Sequence, residues 1–550
     1  MSRMFKQYLM RTTVFAVLAT TGLFSCKKKH HDDAGTSSNA GTTVVSGEIT
    51  SNQHWTADQH ILLQGYVYVT DGVTLTIDPG TIIKGDKSSK GSLIVERGAK
   101  LIAIGTSTNP IIFTSNQPAG TRTYGDWGGV ILCGKAPNNW IAAPKTDGTT
   151  GNLPLGTGQV EGGPRSLYGG SDATDNSGTL SYVRIEFGGV AFSPNNEING
   201  LTLCSVGSGT QIDHIQVSYS GDDSYEWFGG NVNCNHLVCH KGWDDDFDTD
   251  NGFSGMVQFG MIYRDPYSAD QSGSHSFESD SRNENSTALP LTKVVFSNIT
   301  AVGPLSNPNF NGYNPNFVCA AIARRSSSMS IFNSLLIGYP LGLIIDEDPT
   351  YGSTYANITG GTLSFANNAV IGCPSVTSPP GPVVFASAIA RLNDPHSSPN
   401  SVNALTQDTS AWTTTPKTPY KWFMSSANSV GASEGISSRL LNAFNGTNPS
   451  FLPSSTSYVV YNNNNLPAYM TGDPFSNGKK WPFDPTKAIN TDTTNKFANF
   501  NAPGFVPSFS DSKLTGATQV RYVGAFTSGD TWTSGWTNFD PVNANYGGAY

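Results

Sequence analysis

"DHIQVSYSGDDSYEW", Asp213–Trp227, aligns without gaps on "NHLVCHKGWDDDFDT", Asn235–Thr249, at an offset of 22 residues. His214 falls on His236, Ile215 on Leu237, Val217 on Cys239, Asp222 on Asp244, Asp223 on Asp245, Tyr225 on Phe247 and Glu226 on Asp248. Upstream, "SYVRIEFGG" from Ser181 falls on the same segment at an offset of 32. Near the start, "DGVTLTIDPGTIIKG" from Asp71 lies on "RGAKLIAIGTSTNPIIFTS" from Arg97, with Gly72 over Gly98 and Leu75 over Leu101. Repeats of this length, built only from short strands and turns, indicate a solenoid in which each coil buries its inward residues on its neighbours. Propeller blades need longer periods and a signature that is missing here.

Composition agrees with turn-dense β structure. Of 550 residues, 59 are Gly and 32 Pro, and only 37% are hydrophobic. The apolar runs are short ("GYVYV", "VTLTI", "SLIVE", "PIIFT") and are broken by Gly, Pro, Asp and Asn. A formal net charge of −9 offers no polybasic surface, so nucleic acid is not an expected partner. No protein partner can be named from the sequence.

The first residues carry a separate signal. Arg3, Lys6 and Arg11 precede "TTVFAVLATTGLF", an apolar run too short for a permanent membrane span and suited to a secretory signal. It ends in "LFSC", which resembles the lipobox of bacterial lipoproteins, with Cys26 as the lipidated residue. Lys27 lacks the Asp that retains some lipoproteins at the inner membrane, so the expected location is the outer membrane, at the cell surface, with the lipid anchor as membrane partner. Cys133, Cys204, Cys234, Cys239, Cys319 and Cys373 form no CxxC pair, and several lie on apolar strand patterns, which favours small core residues over disulfides.

The 22- and 26-residue units, "GDWGGVILCGKAP", the "GDDSYEWFGG" and "DDDFDTDNGFSG" pair, and "YVGAFTSGDTWTSGWTNFDP" together resemble a group of exported, Bacteroidetes-like, right-handed β-helix lipoproteins. That resemblance implies fold and location more than reaction. The expected fold is all-β: a right-handed parallel β-helix with a mixed, loop-rich C-terminal cap. We place a signal at 1–25, a tether at 26–45, the solenoid at 46–375 with loops at 137–178 and 265–290, and a cap or lateral layer at 376–550. "SEGISSRLLNAF", residues 433–444, is the best helix candidate.

If 22 residues make one coil, Asp222 sits over Asp244, Asp223 over Asp245 and Glu226 over Asp248 at about 4.8 Å. Like charges at that distance cost about 1 kcal/mol per pair even in water, and more when buried. Two resolutions stand side by side. Ca²⁺ can be held among Asp222, Asp223, Glu226, Asp244, Asp245, Asp246, Asp248 and Asp250. Alternatively, the acids form a ladder that accepts backbone N–H groups.

Trp227, Trp243 and Arg264 are the candidate contacts for an extended ligand such as a polysaccharide, against a competing reading of the aromatics as core. The other function classes are a calcium-assisted lyase or a hydrolase, with Arg264 or the Arg324–Arg325 pair as a lyase base, and a structural or adhesive surface protein. The sequence assigns no catalytic residue. His214 and His236 read as a stacked structural pair. "SGSHSFESD", Ser272–Asp280, is a second acidic stretch, which either lines the same face or solvates a loop.

Overall fold

Each apolar run is long enough for one strand and too short to close a sheet, so its inward side chains need a neighbouring coil. The computed structural model describes residues 41–141, 151–162, 165–193, 196–281, 288–304, 313–347, 351–371, 384–388, 429–431, 440–442, 450–453, 507–526 and 530–547. Cys26, Cys373, the signal and most of the tether lie outside the described residues. Among those described, 26 strands form one sheet whose pairings are parallel, wound as a right-handed parallel β-helix.

Three ladders run along the axis. The first starts at Gln53–Trp55, Thr74–Ile77 and Lys100–Ile104 and continues through the front halves of Gly178–Glu186, Gln211–Ser218, Cys234–His240, Met256–Tyr263 and Val295–Val302. The second takes the back halves of those five strands, together with Ile82–Gly85 and Ile111–Ser115. The third stacks Ser92–Val95, Gly129–Cys133, Leu201–Val206, Tyr225–Gly230, Phe247–Asp250, Phe277–Ser279, Cys319–Ala323 and Leu341–Glu347. The register is the one the repeats require: Val217 pairs with Cys239, Glu226 with Asp248, Ser181 with Asp213 and Leu75 with Leu101.

A one-residue bend joins the first two ladders. Tyr182, His214, His236, Phe259, Asn298, Asn333 and Asn367 all adopt φ between 51° and 61° there. Asn tolerates this left-handed region, whereas an aromatic residue must be held in it by its surroundings. The holding is visible: Tyr182 stacks on His214 at 4.4 Å, His214 on His236 at 4.3 Å, and His236 on Phe259 at 5.2 Å. Asp213 is hydrogen-bonded to His236 Nδ1 at 2.9 Å and lies 2.8 Å from His214 Nδ1. The histidines are thus a stacked pair at a corner, inside a bent strand rather than before one.

The interior is aliphatic and aromatic, with Ile215, Val217, Tyr225, Trp227, Leu237, Phe247, Phe277 and Phe296 fully buried. Each such side chain contributes about 1.5–3 kcal/mol on burial. Cys133, Cys204, Cys234, Cys239 and Cys319 are free thiols and buried, the small-core role expected of them.

Three expectations change. The loop expected over 265–290 contains Phe277–Ser279, a strand of the third ladder, because the inserted residues lengthen one coil without ending it. Pairing also passes residue 375: Val384–Ala388 joins Leu341–Glu347, and Ser429–Gly431 joins Ala369–Ile371. Of the helix expected at 433–444, the described part, Leu440–Asn442, is a strand. The loop at 137–178 does leave the coil, with Gly158–Gln159 and Leu167–Tyr168 paired as an antiparallel hairpin.

The described C-terminal residues run back along the bend between the first two ladders as a strap. Side-chain amides hold it in the manner of a β-bridge. Gln216 donates to Asn538 O at 2.7 Å and accepts from Asn538 N at 2.8 Å. Gln258 does the same with Thr518 at 2.8 and 2.9 Å, and Asn333 with Ser508 at 3.0 and 2.8 Å. Trp532 and Trp536 pack edge-on or tilted against the stacked histidines. Further along, Arg122 donates to Pro541 O and Ala544 O, and Tyr546 Oη donates to the buried Glu186 at 2.8 Å.

Replacing Gln258 with Ala removes both bonds to Thr518 and is expected to cost about 1–2 kcal/mol. The urea midpoint measures this, and limited proteolysis should cut the strap earlier. An unchanged midpoint would show that the amide pairing carries no stability.

Candidate functional site

Period-two alternation decides what the acidic repeats do. On the third ladder, Tyr225, Phe247 and Phe277 point into the core, so Glu226, Asp248 and Glu278 point out, in register on successive coils. Their column spans about 10 Å. Thr202 pairs with Glu226 at one end, and Ile322 with Glu278 at the other.

The turns before these strands place a second set. Asp223 N donates to Asn199 Oδ1 at 3.2 Å, Asp245 N to Asp223 Oδ1 at 2.8 Å, and His275 N to Asp245 Oδ1 at 2.5 Å. Each side chain therefore accepts the amide at the equivalent position on the next coil. Asp223 and Asp245 form the hydrogen-bonded ladder that stood as the alternative to a cation.

The remaining acids find different partners. Asp246 is buried against the equally buried Arg264, with 3.1 Å between Oδ1 and Nη1, and accepts from Ser276 Oγ at 2.8 Å. Asp244 accepts from Ser272 and Ser274, both at 2.9 Å. Asp250 accepts from Asn251 N at 2.6 Å. Asp222 stands close enough to Asp244 and Glu197 for their charges to act on it.

Three sequence assignments are corrected. Trp227 is fully buried, stacked between Tyr225 and Phe253, because its neighbour Glu226 takes the outward position. It cannot touch a ligand. Arg264 is buried too: it is committed to Asp246 and donates to Trp243 O, so it is neither a ligand contact nor a base. Arg324 is held by Glu278 and Asp280, and Arg325 by Asp280 at 2.8 Å, so both are committed to carboxylates. Of the three proposed ligand contacts, only Trp243 reaches solvent, 36% exposed, with its indole N–H donating to Asp270 at 3.2 Å.

The sequence reading left Ser272–Asp280 undecided between this face and a loop; His275, Glu278 and Asp280 fall on the face, and the pairing of Arg324 and Arg325 with these acids was not foreseen. "HSFESD", His275–Asp280, lies on "DDFDTD", Asp245–Asp250, at an offset of 30. A search at constant period passes over it.

Charge divides the site. Burial works against ionised Glu278, but Arg324 and His275 outweigh it and hold the carboxyl at about 2. Burial likewise opposes a charge on His275, yet Cys319 and Glu278 raise it to about 9. Away from these cations, burial drives the acids upward. Asp248 rises well above its ordinary value, with Glu278 and Asp245 adding to the effect, and Glu226 does so with Asp248 adding to it. Asp244 is pushed up to about 7 by burial and Asp270. Asp250 is pushed up to about 7 by burial and Asp280, and Asp246 to about 6 by burial, with Arg264 opposing.

One oxygen is left over. Asp248 Oδ1 is buried with no hydrogen-bond partner, and ligand atoms of Asp223, Glu226 and Asp248 lie within 4.8 Å of one another. Three hard oxygens at that spacing fit a divalent cation.

Residues 47–414 match the family model described as a pectate-lyase like beta helix domain. No curated protein matches the chain. Among solved structures, that of the Dettilon tailspike protein (gp208) is similar at 10% identity and a TM-score of 0.20. The similarity covers 63% of this chain and 56% of that one, so the chain spans little more than half the tailspike's length.

The raised carboxyls fix a pH dependence. Asp244, Asp246 and Asp250 have an ordinary value of 3.8, so below about pH 4 they are protonated in folded and unfolded chains alike. Between about pH 4 and 7 the folded chain keeps protons that the unfolded chain has released, and stability falls as pH rises. Glu278 has the opposite sign, contributing stability above its ordinary 4.5 that is lost as pH falls towards about 2. In metal-free buffer the melting temperature should therefore decline from about pH 4.5 to 7.5, and less steeply in Asp244→Asn with Asp250→Asn. A rise over that window would contradict this account.

Proposed function

We propose that this chain, which belongs to the pectate-lyase-like β-helix family, binds an extended glycan along the outward face of its third ladder, assisted by a divalent cation at Asp223, Glu226 and Asp248. The carrying observation is the in-register column Glu226–Asp248–Glu278, in which Asp248 Oδ1 is buried without a partner. Burial and the neighbouring carboxylates oppose the deprotonation of Glu226 and Asp248, whereas Glu278 is kept ionised by Arg324 and His275. A cation would remove that opposition, and Ca²⁺ suits an all-oxygen donor set. The exposed Trp243 supplies an apolar ring face beside acids that accept sugar hydroxyls.

A hydrolase reading has one observation of its own. Glu278 is held ionised while its ladder neighbour Asp248 is held protonated, the split that separates a base from an acid. A lyase with Arg as base has less support, because Arg264, Arg324 and Arg325 are all bound to carboxylates.

We place the protein outside the cell, anchored through a lipid on Cys26 and facing outward from the outer membrane. The lipobox-like "LFSC" supports this location.

A glycan array probed with and without Ca²⁺, followed by product analysis of every hit, tests the binding reading. Retention that depends on Ca²⁺ and weakens about tenfold or more in Glu226→Gln and Asp248→Asn is the expected result. New reducing ends would select the hydrolase, unsaturated ends the lyase, and silence across the array would leave a structural role. Labelled palmitate should enter the wild-type chain and not Cys26→Ala, and equal labelling would remove the anchor.

A further inference from the structure

A cavity of about 430 Å³ opens on the N-terminal coils and is lined by Asp71, Glu96, Arg97, Lys135, Arg165, Ser166 and Leu167. It is separate from the acidic column. Glu96 follows strand Ser92–Val95, and three steps of the third ladder separate that strand from Tyr225–Gly230, about 14 Å along the axis. Its volume falls in the range of small-molecule sites, about 300–1,000 Å³.

The charges around it fall into two groups. Arg165 is fully committed: it pairs with Glu96 at 3.1 Å, pairs with Glu48 at 2.5 Å, and lies over the Tyr68 ring at 4.4 Å. Ser166 Oγ also donates to Glu96. This set, one guanidinium shared by two carboxylates, forms one wall of the cavity and leaves Arg165 no free charge to offer. Asp71 and Lys135, by contrast, make no ion pair among the described residues, and Arg97 spends one N–H on Gly169 O at 3.0 Å. Two cations and one carboxylate thus line the same space with no salt bridge to any of them among the described residues.

Gly98 brings the opposite charges close together. At its φ of 86° a Cβ would stand 1.9 Å from Asp71 Oδ1 and 2.7 Å from Lys135 Nζ, so any side chain there would displace both. The absent Cβ leaves an acceptor and a donor on the same floor, close to each other yet not bonded.

We infer that this cavity binds a small zwitterion carrying one carboxylate and one ammonium group, of the size of a free amino acid. Arg97 and Lys135 take the carboxylate, since a guanidinium and an ammonium together offer donors in a plane and at a point. Asp71 takes the ammonium. Leu167 gives the one apolar surface, against which a side chain rests. A ligand with only an anionic group would leave Asp71 facing it, and one with only a cation would meet Arg97 and Lys135. Both are disfavoured by like charge. The site does not rest on the glycan reading, and it stands if that reading fails.

Calorimetric titration with each of the twenty free L-amino acids tests this, with the N-acetyl derivative and the amide of any that bind. The expected result is saturable binding of at least one amino acid, with Kd near or below about 1 mM. Loss of the ammonium or of the carboxylate should weaken it at least about tenfold, as should Asp71→Asn or Lys135→Gln. Both positions are exposed, so these variants should fold, and circular dichroism would verify it. Glu226→Gln, in the other site, should leave the titration unchanged. Heats indistinguishable from dilution for all twenty, equal binding of the blocked derivatives, or full affinity in both cavity variants would each overturn the inference.

Discussion

Parallel in-register stacking is the constraint from which the rest of the molecule follows. When strands pair as Tyr225 with Phe247 and Phe247 with Phe277, every position is repeated at the spacing of adjacent strands. For apolar and aromatic residues the repetition is favourable, and the core is a pile of such contacts. For acids it is unfavourable, so each rung of carboxylates needs its own remedy. Asp223 and Asp245 use the amide of the following coil, Asp246 uses Arg264, and Glu278 and Asp280 share Arg324. Glu226 accepts from the Asn199 side-chain amide, but Asp248 Oδ1 has no such remedy, which is why the functional reading centres on it and its neighbours.

Much of this is legible in the amino-acid sequence. The 22-residue offset gives the pairing of Asp213–Trp227 on Asn235–Thr249 to the residue, because a coil without insertions leaves its period intact in the sequence. The next coil is longer by the segment around Pro266–Gly273, and with the period broken, Glu278 and His275 looked like part of a loop. Physical continuity lay in the "F-acid-x-D" pattern, shared by Phe247–Asp250 and Phe277–Asp280, rather than in the spacing.

The ligand contacts failed for a different reason. Trp227 and Glu226 are neighbours on one strand and must face opposite ways, so the two cannot serve one external site. Arg264 was close in sequence to the acids, but the turn carries it beneath them to Asp246. The strap was invisible because Gln216, Gln258 and Asn333 are ordinary polar residues, and the backbone they meet lies between 175 and 322 positions away.

The strap also changes how the coils fail. A stack held only by adjacent contacts can fray from either end, each coil opening nearly independently of distant ones. A segment fastened at Asn333, Gln258, Gln216 and Arg122 makes coils far apart share a single fate, since opening one strips bonds from a tether that the others also grip. What would be a gradual unravelling becomes closer to an all-or-none transition, and tension along the axis is spread over several fasteners loaded together.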